Sequence, residues 1–236
     1  VSLPEEQLER QPTASVAAET AAANLSDSGG IPNWLLVVFF GLVLVAFLGG
    51  VFTAGGKDGH EHPKEDRRLV DFSLTDTAGR SVSRSDLEGK YAVVSFVFTS
   101  CSLSCIQVVK TMAEIQRRTA DQKDVVLVSL SLDPRTDTPA VLGSFARRYG
   151  AESARWHFLT GEKQTVYELI ERSFLEKSEQ PDTGPNAIPG GFERATRIAL
   201  VDSRGVVRAF FDGMGAGAPA AVMKELEELR QSTKHE

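Results

Sequence analysis

The sequence predicts an α/β domain, a mostly parallel central sheet flanked by helices, carried behind one N-terminal transmembrane helix. Three features lead there. Trp34 to Thr53 is a run of twenty residues without a charge. Two β-branched and aromatic runs, "YAVVSFVFT" and "DVVLVSLSL", are each followed by a segment with helical patterning. A late apolar pair, "TRIALVDSRGVVRAFF", brackets a turn. Strand–helix–strand–helix order implies parallel strands, because parallel neighbours need a crossover long enough to hold a helix.

Residues 1–30 are rich in Ala, Ser, Thr, Glu and Gly and read as a flexible arm. Residues 31–55 hold the apolar run, which at 1.5 Å per residue spans a bilayer core of about 30 Å. The run is longer than a signal-peptide core and has no basic region before it, so a retained span is expected. Residues 56–68, from "AGGKDGHEHPKEDRR", read as a hydrated linker, since charges and glycines leave no apolar face to bury. His60 and His62 alternate in that linker and are expected to be exposed, with weak metal binding as the alternative. Lys57, Lys64, Arg67 and Arg68 follow the span against Arg10 alone before it, so the Lys/Arg count leans toward a cytoplasmic C-terminal domain.

The folded domain is expected over residues 69–236. "VDFSLTDTAGRSV" gives two short extended pieces around a turn at Ala78 and Gly79. Tyr91 to Thr99 is apolar almost throughout, as a strand covered on both faces requires. Ile106 to Arg118 follows as a helix whose Val108, Met112 and Ile115 form one buried stripe. After "DVVLVSLSL", Asp137 or Thr138 can cap a helix that has Pro139 in its first turn and ends at Tyr149–Gly150. "ARWHFLTG" is a short apolar segment, "EKQTVYELIERSF" a third helix, and "LEKSEQPDTGPNAIPGG" a loop. "PAAVMKELEELRQ" closes the domain as an amphipathic helix.

The chain carries a net charge of −6, and beyond residue 56 acidic and basic residues nearly balance. No basic stripe is present to suit nucleic acid. A domain of about 165 residues buries a sufficient core without disulfide staples, so the two cysteines need not be scaffolding.

Both cysteines, Cys101 and Cys105, lie in "TSCSLSC" at the junction of a central strand and the next helix. Thiols at i and i+4 can share one face of a helical turn, and there either converge on one ion or oxidise to a bridge. The positive helix end favours thiolate over thiol. Two thiolates suit Cu(I), a soft ion, while structural zinc calls for four ligands.

At these residues the chain resembles the Sco/SenC family, membrane-anchored factors that help assemble the copper centre of cytochrome oxidase. The resemblance runs from about Val70 to Arg230 and rests on "FTSCSLSC", "SLDPRTDTP", "WHFLTG" and "IALVDSRGVVRAFF". It implies a thioredoxin-like fold, Cys101 and Cys105 as redox or copper-binding residues, a cytochrome oxidase or other respiratory membrane complex as partner, and a domain on the periplasmic or extracytoplasmic face. That placement opposes the one the Lys/Arg count suggests.

Two departures from the family stand out. Ser102 and Ile106 occupy positions where the family has proline after each cysteine. The family's copper-ligating histidine falls eight residues before the aspartate of the late turn; counting back from Asp202 reaches Arg194. A guanidinium cannot ligate copper, but it can lower a neighbouring thiol's pKa. Cu(I), content with two sulfurs, thus fits better than Cu(II). Glu193 is a second-choice ligand. His157, the lone histidine between Leu69 and Arg230, reads as a packed side chain. Asp133 and Asp137 read as turn and cap residues, with a supporting role at the thiols as the functional alternative.

The expected function is therefore Sco-like: delivery of Cu(I), or reduction of client cysteines so that copper can enter. A general membrane-bound thiol–disulfide reductase and a structural subunit of a respiratory complex with a degenerate Sco domain are the competing readings.

Overall fold

The computed structural model describes residues 38–39, 41–42, 60–63, 67–100, 103–174 and 195–233, with the backbone alone for 103–105 and 233. Of the expected span, residues 38, 39, 41 and 42 are described and are helical; the rest of it, the arm at 1–30 and the loop after the third helix lie outside the described residues. No helix among the described residues is long and apolar enough to cross a membrane. The chain separates into Val1–Gly55 and Gly56–Glu236, and the second unit holds the fold described below.

That unit has strands β1 (His60–Glu61), β2 (Arg67–Arg68), β3 (Ser73–Thr75), β4 (Ser81–Ser83), β5 (Tyr91–Val97), β6 (Val125–Ser131), β7 (Trp156–Leu159), β8 (Arg197–Val201) and β9 (Val206–Asp212). Its helices are α1 (Leu103–Arg118), α2 (Pro139–Arg148), α3 (Lys163–Phe174) and α4 (Ala218–Thr233). The main sheet runs β1-β9-β8-β5-β6-β7, with β2 also on β9. β5, β6 and β7 are parallel, as the strand–helix alternation predicts. β8 and β9 form the expected hairpin and run antiparallel beside β5, which makes the sheet mixed.

All seven residues of β5 and of β6 are buried, because both faces of the sheet are covered. Alternation sends Val93 and Val97 toward α1, α2 and α4, and Ala92, Val94 and Phe96 toward the β3–β4 hairpin and α3. Phe96 meets Phe174 edge to face, with ring centres 5.3 Å apart. Burying an aromatic of this size contributes about 1.5–3 kcal/mol. The predicted stripe of α1 is present: Val108, Met112 and Ile115 have no exposed surface.

The β3–β4 hairpin turns at Gly79, whose φ of 77° suits glycine. Asp76 organises that turn, accepting from the N–H groups of Ala78 and Arg80 and from Arg80 Nε. Burial opposes ionisation of Asp76, but the bonds from Arg80 and Ala78 outweigh it and hold its pKa below the ordinary value. Thr75 and Thr160 exchange backbone bonds at 2.7 and 2.9 Å, fastening the hairpin to the end of β7. The β8–β9 turn uses the same device. Asp202 accepts from the N–H groups of Arg204 and Val206 and from Arg208, and Gly205 has a φ of 76°.

Two short pieces within the 56–68 stretch add to the sheet. His60 pairs with Phe211 and Glu61 with Phe210; Arg67 pairs with Val207 and Arg68 with Val206. The hydropathy of this stretch does not show these ladders, because backbone groups make them. His60 is half-buried rather than exposed, whereas His62 is exposed.

Candidate functional site

β5 delivers the chain to the cysteine loop. The strand ends at Val97, Phe98 packs on the core, and Thr99 leads toward Cys101. Cys101 itself lies outside the described residues, as does Arg194. For Cys105 the backbone is described, and it lies in the first turn of α1, which begins at Leu103. The helix thus starts three residues before the expected Ile106. Its opening turn contains no acidic residue, so the positive end of the backbone is not offset locally.

The β6–α2 loop lies alongside, because Val97 and Ser131 are register partners at the ends of two parallel strands. Asp137 joins the two loops. It is fully buried, and its Oδ1 accepts from Thr99 N–H at 3.1 Å and Thr99 Oγ1 at 2.6 Å. Its Oδ2 accepts from Ser131 Oγ at 2.7 Å. The cap of α2 is Thr138, which accepts from Val141 N–H at 3.4 Å. Of the two caps considered for this helix, Thr138 serves. Asp137 turns inward, where three donors satisfy its buried oxygens.

Asp133 is half-buried at the end of β6. Its N–H donates to Ser131 Oγ at 3.1 Å, and its carbonyl accepts from Thr136 and Asp137. These bonds build the loop. Tyr167, on α3, donates its hydroxyl to Leu132 carbonyl at 3.0 Å. Burial, reinforced by the Asp133 carboxylate, pushes the Tyr167 pKa up.

β8 opens at this same end of the sheet, since it runs antiparallel to β5 with Ile198 opposite Ser95. Ala195, next after Arg194, is buried. Gly213, just past β9, takes the space between β8 and α1: a Cβ there would stand 2.9 Å from Thr196 carbonyl and 3.1 Å from Val108. Thr111 of α1 donates to Gly213 carbonyl at 2.8 Å. The helix carrying Cys105 is thereby held to the hairpin.

His157 sits away from the loop. It pairs in register with Val128, which pairs with Val94, seven positions before Cys101. Burial is the main cause of its lowered pKa; the attraction of Asp76 opposes the shift and Arg80 and Lys90 reinforce it. The register agrees with a packed histidine.

Sequence reasoning missed Thr99, Ser131 and Tyr167. A signal existed for the serine: Ser129 and Ser131 alternate within an apolar strand, so both face the α1 side. Ser129 Oγ meets Ser95 Oγ at 2.8 Å and accepts from Trp156 Nε1 at 2.9 Å, a buried polar line across three strands.

A mixed sheet with helices on its faces, and a Cys-x-x-x-Cys pair set where a buried strand enters a helix, define a thioredoxin-like domain of the thiol-bearing kind. The SCO1/SenC family model matches residues 60–231, and the chain belongs to that family. Among relatives, the SCO1 protein homolog of Bacillus subtilis is 32% identical over 113 residues, which are 47% of this chain and 58% of the relative. The match thus spans less than two thirds of that protein. Among solved structures, a SCO1/SenC family lipoprotein from Bacillus anthracis is 26% identical with a TM-score of 0.60, covering 71% of this chain and 98% of its own. BsSco, described as a member of the Sco family of cytochrome c oxidase assembly proteins, shares the fold at 23% identity and a TM-score of 0.57, covering 71% and 96%.

Proposed function

We propose that this chain is a membrane-tethered Sco-type factor that prepares the copper centre of a respiratory oxidase, using Cys101 and Cys105. The observation that supports it most directly is the place of Cys105 in the first turn of α1, the helix that follows buried β5 in sequence, in a chain of this family. The apolar run from Trp34 to Thr53 serves as the tether, with the folded unit on the extracytoplasmic face.

Two thiolates and no histidine at the family's position make a donor set for Cu(I) as cargo, held between sulfurs in a near-linear arrangement. The same pair can reduce a client. One thiolate attacks a client disulfide; a mixed S–S bond forms as the client's own breaks, and one client sulfur leaves as thiolate. The second cysteine then attacks the mixed bond, which leaves Cys101–Cys105 oxidised and the client with two thiols. Two electrons move to the client, and an external dithiol reductant must restore the pair. Arg194 favours this redox branch, because a cation stabilises thiolate without binding copper.

Anaerobic Cu(I) titration of wild type, C101S and C105S, beside a measured thiol–disulfide potential, separates the branches. Tight one-to-one binding lost in either variant supports delivery. Absence of such binding together with facile exchange on oxidase subunits supports reduction. If neither is found, the proposal fails in favour of a structural subunit, whose copurification with the oxidase would survive loss of both cysteines. Protease accessibility in sealed membranes tests the topology: a folded unit that is reached from outside agrees with it.

A further inference from the structure

The geometry points to a second metal site, for a borderline divalent ion such as Zn²⁺, built from His60, His62 and Glu225 at the β1 edge of the sheet. It uses neither cysteine and stands independently of the proposal above. One ligand atom from each side chain lies within 4.8 Å of the other two. Ligands on a tetrahedral ion stand about 3.3 Å apart at bond lengths of about 2.0–2.1 Å, so the exposed His62 ring need swing in only slightly.

Three features distinguish this cluster from a chance meeting of polar groups. Glu225, on α4, is only 6% exposed, and carboxylates are almost never buried so deeply without a partner. Its partner among the described residues is His60 Nε2 at 3.6 Å, beyond hydrogen-bond distance. His60 Nδ1 is also buried and has no hydrogen-bond partner. The ring therefore faces a deeply buried carboxylate through Nε2, while its other nitrogen has no partner. His62 supplies the third feature: its Nδ1 lies 3.0 Å from Arg208 carbonyl. A carbonyl only accepts, so Nδ1 is the donor there, which in the neutral ring leaves Nε2 as the nitrogen with a lone pair. Metal-binding histidines are held this way, with one ring N–H on a backbone carbonyl and the other nitrogen free.

Two imidazoles and a carboxylate suit zinc and its neighbours, and leave a fourth position for water. The cluster lies beyond β9 and β8 from β5, a lateral offset of about 14 Å at about 4.8 Å per strand. It is thus separate from the thiol loop. A bound ion would pin β1, the segment leading into the folded unit, to α4.

The test titrates Zn²⁺ into the full chain in detergent, in a C101S/C105S background so that thiols cannot take the metal. One equivalent should bind, at least tenfold more weakly in H62A and in E225Q, and amide exchange at residues 60–62 should slow when the metal is added. Absence of stoichiometric binding, or binding unchanged in both variants, overturns the site. Circular dichroism checks the fold of E225Q; if that variant unfolds, H62A decides alone, because His62 is exposed.

Discussion

Asp137 accepts both the backbone N–H and the hydroxyl of Thr99, a residue 38 positions earlier in the chain and two before Cys101. Ser131 adds a third donor to the same carboxylate. Charge-assisted bonds of this kind are stronger than neutral ones, and here they tie the entrance of the cysteine loop to the end of β6.

Removing that acceptor should be costly. D137A leaves three donors without their partner and is expected to lower stability by about 3 kcal/mol or more, against about 1 kcal/mol for T99V. D137N, which keeps one oxygen, should fall between. Urea unfolding with the thiols reduced measures this. Alkylation rates of Cys101 should change in D137N while the fold is retained; equal rates would separate Asp137 from the thiol loop.

The buried line of Ser95, Ser129 and Trp156 makes a second expectation. S129A deprives the indole N–H of its acceptor inside the core and should cost about 1–3 kcal/mol. S95A leaves that bond in place and should cost less. A reversed order in denaturant midpoints would contradict the assigned network.

His157 sets a pH dependence whose sign follows from its lowered pKa. As pH falls below the ordinary imidazole value of 6.5, the unfolded chain takes up a proton before the native state does. Stability is therefore full above that value and declines on acidification until the native imidazole also protonates. H157Q should flatten the decline between neutral and mildly acid pH. Urea midpoints for both proteins at pH 7.5 and pH 5.5 provide the check, and parallel curves would remove His157 as the cause.

Restoring the family's histidine tests the chemical meaning of Arg194. R194H should enable Cu(II) retention with a thiolate-to-copper absorption band that requires Cys101 and Cys105, while wild type shows none. An equally strong band in wild type would mean that another donor completes the site.

Much of the domain was legible because its strands and helices bury long apolar patterns. The two central strands, the α1 stripe, and the hairpin at Gly205 all announce themselves through side-chain period and turn chemistry. The place of Cys105 at a strand-to-helix junction was legible too, in the first turn of α1. The role of Asp137 was not, because a cap and a cross-loop anchor look alike until Thr99, distant in sequence, is placed beside it. The ladders of β1 and β2 were hidden for another reason: backbone pairing needs no hydrophobic side chain, and "GHEHPKEDRR" has the composition of solvated chain. The same masking made His60 look exposed.

Those ladders bear on where the protein can be cut. β9 already gives one side to β8, so its other side depends on His60–Glu61 and Arg67–Arg68. A fragment begun at Leu69 would strip those pairings, made with Val206, Val207, Phe210 and Phe211, and leave N–H and C=O groups along β9 open to another chain. Recombinant fragments that start ahead of His60 should remain monomeric, and those that start after Arg68 should self-associate, with β9 as the seam.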